Sequence, residues 1–364
     1  MKIAVLSSYS WIQRANNYGS LFQYYALQVY LKKLNCEVFW IRLNNVSQKR
    51  KVFIDSTLEE KITNCQFEFK CFIDNFLNVS THEYPSLVAF RKNPPQADIY
   101  ITGSDQVWNG IVPEYFLHFF PKGGTKASYA ASFGKNSLNI EEFSLLKKLL
   151  SNLDFISVRE NSALQLCEQV LERPIDLTCD PTLLLEKEDY LQLIRRDSAF
   201  FIDESRPKFV IYLVNECPFT VDELAFIENY ANSEGLEVVI IAIQGAENNF
   251  PSTIVKMPSP NKWLHLISVA KYVITNSYHG LLFSIIFEKK FMLATQKNKA
   301  FAENDRFTTI LNRFQLTHRV YTSQKEHLVK ISNEIDWHSV RKHKRQFVNH
   351  SVQFLNRVIY NHNS

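Results

Sequence analysis

Glycine is scarce in this chain, with nine in 364 residues. No GxGxxG follows the first apolar run, so the fingerprint of a nicotinamide dehydrogenase is missing. GxxxxGK(S/T) and GxSxG are missing too, which removes the P-loop and the hydrolase nucleophile elbow. The six cysteines (Cys36, Cys65, Cys71, Cys167, Cys179 and Cys217) form no CxxC and no zinc spacing. They read as free thiols of a reducing compartment. No apolar run approaches the roughly 18 residues that would span a membrane. The leading run Ile3–Leu6 is too short for the core of a signal peptide, so a cytoplasmic location is expected. The formal net charge is only +4, and no basic stripe alternates with aromatics, so a nucleic-acid partner is not expected. No His/Asp/Glu cluster suggests a metal, and no resident cofactor is expected.

What is present is a globular composition, 46% hydrophobic and 21% charged, long enough for two domains. Lys2–Ser8 predicts a buried strand. A polar loop follows to Asn17, Gly19-Ser20 opens a helix, and Glu37–Arg42 predicts a second strand. Strand, helix and strand in about 40 residues make a βαβ opening. Residues 44–95 are less regular and read as an insertion, with a helix over Leu58–Phe76. Asp98–Thr102 predicts a strand that ends in Gly103-Ser104-Asp105-Gln106-Val107-Trp108-Asn109. Strands over Lys126–Ser132 and Asp154–Val158 follow, with a helix over Ile140–Leu153 between them. Arg159-Glu160 leads into a helix to Leu171, and Asp176–Leu185 reads as a strand stopped at Asp180-Pro181-Thr182. A charged, irregular stretch, Glu186–Pro207, marks a domain boundary. Strands over Lys208–Val214 and Glu237–Ile243 then alternate with helices over Thr220–Ser233 and Pro260–Ala270. After the stretch at Tyr272–Phe287 come a strand, Phe291–Thr295, and a helix from Asp305 to Phe314. Ser339–Tyr360 is a final helix.

Tyr272–Phe287, YVITNSYHGLLFSIIF, is the stretch around which the rest is organised. It reads as buried strand, tight loop and buried helix. Asn276 and Ser277 are good N-cap types, and a helix start is a ready anion site. His279 stands there, either facing a phosphate or carboxylate or only capping its own helix.

The expected fold is α/β, with two Rossmann-like domains facing a cleft, a GT-B-like arrangement. The first domain covers residues 1–186, with the insertion at about 44–95, and lies on the acceptor side. The second covers 207–335, on the donor side. Residues 336–364 form a helix packing back on the first domain.

Several of these segments resemble the polysaccharide pyruvyl transferase family. Asn17-Tyr18-Gly19-Ser20-Leu21-Phe22-Gln23 is similar to its N-terminal NYG(A/S)LLQ segment, and Gly103–Asn109 to its GSDQVWN segment. Ser157-Val158-Arg159-Glu160 resembles its SVRE segment, Asp180-Pro181-Thr182 its DPT, and Thr275–Gly280 its TDS(F/Y)HG. Arg306 stands where members often have an arginine shortly before a helix. The matches keep their order over residues 1 to about 316. One departure is Ser277, where some members carry arginine two positions before the histidine.

The resemblance implies a transferase that moves a pyruvyl group from phosphoenolpyruvate to a sugar of a cell-surface polysaccharide precursor, capsule or exopolysaccharide, as a ketal. Such a donor carries a phosphate and a carboxylate and needs cations and amide donors. Arg159, Arg306, Asn276, Ser277 and Gly280 are the candidate donor-binding residues. His279 is the candidate general acid and Asp105 the candidate base. Asn17, Gly19 and Trp108 are the candidate acceptor-binding residues, Trp108 by stacking on a sugar. Each has a plainer reading: a surface ion pair for Arg159-Glu160, a helix cap for Asp105, packing for Trp108, a hinge turn for Asp180-Pro181-Thr182. The acceptor is expected to be a glycan, lipid-linked if the basic cluster Arg341-Lys342-His343-Lys344-Arg345 rests on an anionic membrane face; a solvated helix face is the plainer reading of that cluster. Two rival functions stay open, a GT-B glycosyltransferase using a nucleotide sugar and a glycan-binding protein without catalysis.

Overall fold

The structure, a computed structural model, describes residues 1–7, 17–43, 56–121, 123–134, 139–196, 206–294, 305–321 and 328–360. Residues 8–16 of the expected first loop, 44–55 of the expected insertion, Thr295 and most of 197–207 lie outside the described residues.

Two parallel sheets carry the fold. The first has seven strands in the order β3-β2-β1-β4-β5-β6-β7: β1 Lys2–Leu6, β2 Glu37–Leu43, β3 Val79–Tyr84, β4 Ile99–Thr102, β5 Thr125–Ala131, β6 Phe155–Val158 and β7 Asp176–Leu177. The second has six in the order β10-β9-β8-β11-β12-β13: β8 Lys208–Val214, β9 Glu237–Ile243, β10 Val255–Lys256, β11 Ala270–Thr275, β12 Lys290–Ala294 and β13 Val320–Tyr321. The central strands are buried on both faces, with all four residues of β4 closed to solvent, because helices cover both sides of a parallel sheet. In each sheet the strand order reverses once, between β1 and β4 and between β8 and β11. Open α/β sheets place ligands beyond the carboxyl ends of strands at such points.

Two helices leave these reversals. Helix α1, Tyr18–Lys33, follows β1, and its first turn is capped by Asn17, whose side chain accepts from Ser20 N at 3.1 Å. The helix Tyr278–Ile286 follows β11 and is capped by Ser277. Both are buried almost all round, so they are packed between the sheets and not laid on the surface.

The halves share one apolar core containing Val5, Tyr18, Phe22, Tyr190, Val210, Trp263 and Phe283. Tyr18 stacks on Trp263 at 5.0 Å between ring centroids and donates its hydroxyl to Pro258 O at 2.6 Å. The last helix, Trp337–Tyr360, packs on the first sheet. Phe354 meets Tyr129, Ser351 Oγ accepts from Cys179 N at 2.8 Å, and Arg357 pairs with Asp176 at 2.7 Å. Within its basic cluster, Arg341 pairs with Glu288 at 2.7 Å and Lys344 with Glu186 at 3.2 Å. Among the described residues no helix is long and apolar enough to cross a membrane.

Three expectations need correction. The stretch read as an insertion supplies β3, which pairs in parallel with β2 and forms the edge of the sheet. Asp176–Leu185 is a strand for two residues only, because Asp180 caps a short 3-10 turn at Pro181–Leu184. The stretch read as irregular holds a helix, Lys187–Arg195, opened by a reciprocal cap between Glu186 and Asp189.

Candidate active site

The segments leaving β1, β4, β6, β7 and β11 meet in one buried polar cluster. From the first half, β6 delivers Arg159, whose side chain is fully buried. Its Nη1 donates to Asp180 Oδ2 at 2.8 Å, its Nη2 to Asp105 Oδ1 at 3.3 Å, and its Nε is 3.7 Å from Glu160 Oε2. Asp180, just past β7, is equally buried and fully held. Its Oδ1 accepts from the amide and hydroxyl of Thr182 at 3.0 and 2.8 Å, and its Oδ2 from Ser104 Oγ at 3.4 Å. From the second half comes His279, whose Nε2 lies 3.3 Å from Asp180 Oδ2. That is ion-pair distance without the angle of a formed hydrogen bond, and Nε2 is closed to solvent.

The cluster is shaped by its small residues. Gly103 has φ +109°, and a Cβ there would stand 2.3 Å from Tyr129 O. Ser104 N then donates to Gln23 Oε1 at 3.2 Å, while Gln23 Nε2 donates to Ser7 Oγ at 2.7 Å, so one side chain of α1 ties the ends of β1 and β4. Asp105 follows at φ 68°, and its Oδ2 accepts from Ser20 Oγ at 3.0 Å. Gly19 lies under His279: a Cβ on it would come 2.1 Å from Nδ1.

Tyr278 stands beside His279, edge to face at 5.4 Å. Its ring carries the Arg159 guanidinium at 4.4 Å and the Arg306 guanidinium at 5.9 Å. Its hydroxyl is buried without a hydrogen-bond partner, and so is Glu160 Oε2. Arg306 itself is half-buried at the start of the helix Asp305–Arg313. Asp305 reaches across to accept from Ser162 N at 2.5 Å, and Thr309 Oγ1 accepts from Asn161 N at 3.2 Å. The helix Asn161–Leu171 of the first half thus has its first two amides filled by side chains of the second.

Burial acts against every charge in this cluster, and the outcome differs from group to group. Asp180 is held well below the usual carboxyl range, because His279, Arg159 and the Thr182 amide outweigh its burial. Asp105 is lowered too, with Arg159, His279 and Arg306 overcoming burial. Glu160 goes the other way: burial raises it, and Arg159 and a hydrogen bond with Ser132 offset only part. Arg306 is lowered by burial and by the neighbouring Arg159.

A family model described as polysaccharide pyruvyl transferase matches residues 17–298. The chain belongs to the polysaccharide pyruvyl transferase family. No curated protein matches it. Among solved structures, a putative UDP-N-acetylglucosamine 2-epimerase from Listeria monocytogenes is similar over 100% of this chain and 98% of its own, at TM-score 0.54 and 10% identity. The S. aureus MnaA-UDP co-structure is similar over 100% and 97%, at TM-score 0.52 and 10% identity. The UDP-GlcNAc 2-epimerase of Neisseria meningitidis follows at 0.50 and 11%, over 97% and 100%. At these identities the likeness shows the fold alone, which is GT-B.

Within this pyruvyl transferase scaffold, the expected site residues separate into two groups. His279, Asp105, Arg159 and Gly19 come together, with Arg306 at their edge. Arg159, however, has no exposed surface, so it is the hub of a carboxylate cluster and not an open clamp for an anion. Trp108 is also displaced from its expected role. It is fully buried, stacked on Phe116 at 4.8 Å, with Nε1 donating to Tyr115 O at 2.9 Å, and no ring face is left for a sugar. Asn276 spends its amide on backbone, accepting from Val214 N at 2.8 Å and donating to Val214 O and Glu216 O at 3.1 and 3.0 Å. It ties β11 to β8. Ser277 and Asn17 serve as helix caps. Gly280 is required by packing, since a Cβ would stand 2.3 Å from Thr275 Oγ1. The sequence reading missed the centrality of Asp180, taken as a hinge turn. It also passed over Ser20, Gln23, Ser104, Glu160 and Tyr278, although all of them lie inside or beside the motifs it quoted. Among the described residues no group of three or more His, Cys, Asp or Glu side chains is arranged to hold a metal ion.

Proposed function

We propose that this pyruvyl transferase takes its pyruvyl group from phosphoenolpyruvate and attaches it to two hydroxyls of one sugar as a ketal. The observation that carries the reading is the meeting of His279, from the second half, with Asp180, Arg159 and Asp105 from the first. Proton transfer at an imidazole beside carboxylates, with cationic charge nearby, is what enol-ester chemistry needs.

The balance is simple. A proton passes to the methylene carbon, C2 becomes electrophilic, and the first sugar hydroxyl adds there and gives up its proton. The second hydroxyl displaces phosphate, which leaves with that hydroxyl's proton. In this reading His279 gives the first proton. Asp105 takes a hydroxyl proton, a role that its lowered value and partial exposure support. Arg306, half-buried beside Tyr278, adds cationic charge at the edge of the cluster for the anionic donor.

The test is incubation with phosphoenolpyruvate and a panel of galactosides, glucosides and mannosides, read by mass for a gained pyruvyl group and by phosphate release. A gain that disappears in His279→Ala supports the reading. Thermal stabilisation by uridine diphosphate but not by phosphoenolpyruvate, with no turnover, would replace it with nucleotide-sugar chemistry on the same fold.

A further inference from the structure

Among the side chains of the cluster, Asp180 is the one most completely immobilised. It is fully buried, its Oδ1 is held twice by Thr182, and its Oδ2 is held by Arg159 at 2.8 Å and Ser104 at 3.4 Å. A carboxylate so fixed has a direction to impose, and Oδ2 lies 3.3 Å from His279 Nε2. On the Nδ1 edge of the ring lies Gly19, which contributes no side chain of its own. The next residue, Ser20, donates to Asp105 Oδ2 at 3.0 Å, which ties the candidate base to the first turn of the same helix.

We infer that Asp180 is a positioning residue for His279: it fixes the Nε2–H tautomer and orients the ring so that Nδ1 is the atom that exchanges protons with substrate. A carboxylate at ion-pair distance from one ring nitrogen favours the tautomer that carries its proton on that nitrogen. With Nε2 closed to solvent and facing a carboxylate, the proton settles there in the neutral ring. Nδ1 is then free to take a proton and deliver it. Gly19 and Asp180 thus act as the two jaws of one holder, built from the first half and closing on a residue of the second. This rests on the proposed phosphoenolpyruvate chemistry for its kinetic part only.

Asp180→Asn keeps the size of the side chain and an acceptor for Thr182 while removing the charge. Turnover with phosphoenolpyruvate is expected to fall by about 10²- to 10⁴-fold in kcat, with KM changed by less than about threefold. A merely structural role would not move the second readout, the nitrogen-15 signals of the imidazole, assigned by their loss in His279→Ala. Wild-type protein should show Nε2 protonated in the neutral ring, and Asp180→Asn should show a mixture or the Nδ1-protonated form. A wild-type ring protonated on Nδ1 overturns the inference even if Asp180→Asn fails to fold. So does Asp180→Asn with unchanged kcat and unchanged tautomer. If wild type is inert toward phosphoenolpyruvate but shows the expected tautomer, the functional reading has failed and the positioning has not.

Discussion

Gly19 of α1 and His279 of the second half occupy one another's space: the imidazole fills the position where a side chain on residue 19 would sit, with Nδ1 only 2.1 Å from an added Cβ. The contact joins the two sheets at their strand-order reversals, and it makes the glycine a steric requirement of the histidine's position.

Gly19→Ala is therefore expected to push the ring out of line with Asp180. Displacement of a reacting group by about 1 Å can cost on the order of 10²-fold in rate. The expected outcome is that loss in kcat together with a lower melting temperature, since a methyl forced into this buried contact overpacks it at a cost of about 1–3 kcal/mol. Steady-state kinetics with parallel thermal melts decide it. Wild-type turnover in Gly19→Ala would mean that the ring has room to spare.

Arg159 is surrounded by Asp105, Glu160 and Asp180, all within 3.7 Å. Removing the guanidinium leaves buried carboxylates uncompensated, and breaking a buried pair from one side costs about 3–5 kcal/mol. Arg159→Met should lose stability on that scale, measured by chemical denaturation. A folded Arg159→Met whose only defect is a raised KM for the donor would restore the arginine as an anion clamp.

Asp180 and Asp105 both have folded values below the unfolded carboxyl value of about 3.9. A depressed carboxyl contributes stability that is present above the unfolded value and lost as pH falls through the folded one. Glu160 has the opposite sign: its value is raised, so its contribution is present at low pH and lost as pH rises through the folded value. Melting temperature should therefore fall on acidification below about pH 4. Asp180→Asn should show a shallower fall. Parallel acid limbs for the two proteins would mean that Asp180 carries none of this dependence.

Trp108→Phe tests the placement of that side chain in the core. The substitution keeps an aromatic ring on Phe116 and orphans Tyr115 O, a loss of about 1–3 kcal/mol. Acceptor KM should stay within about twofold of wild type. A large rise in acceptor KM at unchanged stability would return Trp108 to the sugar site.

Much of this architecture was legible from periodicity, because buried parallel strands such as Lys208–Val214 and Glu237–Ile243 are continuous apolar runs. The helix Lys187–Arg195 was hidden by its charge, with only Tyr190, Leu193 and Ile194 buried. Asn276 and Ser277 have side chains suited equally to ligands and to backbone, and composition cannot say which partner wins. Asp180 was misjudged because a DPT turn and a site aspartate look alike in one dimension. Only the arrival of Arg159 and His279 from other strands distinguishes them.

The shared core leads to a last expectation. Trp263 of the second half stacks on Tyr18 and Phe22 of the first, at 5.0 and 5.7 Å, and meets Phe283 edge-on at 5.2 Å. Phe283 in turn packs on Phe22 at 5.5 Å and on Tyr190 of the connecting helix at 5.0 Å. Neither half can lose its structure without exposing apolar surface of the other, so the halves should unfold together. Calorimetry should give one transition whose calorimetric and van't Hoff enthalpies agree. Trp263→Ala should lower the stability of that single transition by about 3–5 kcal/mol. Because His279 and Asp180 belong to opposite halves, the same substitution should also slow turnover without touching the cluster. Two resolved transitions in the wild type would show that each half has a sufficient core of its own, and the aromatic seam would then be a docking contact.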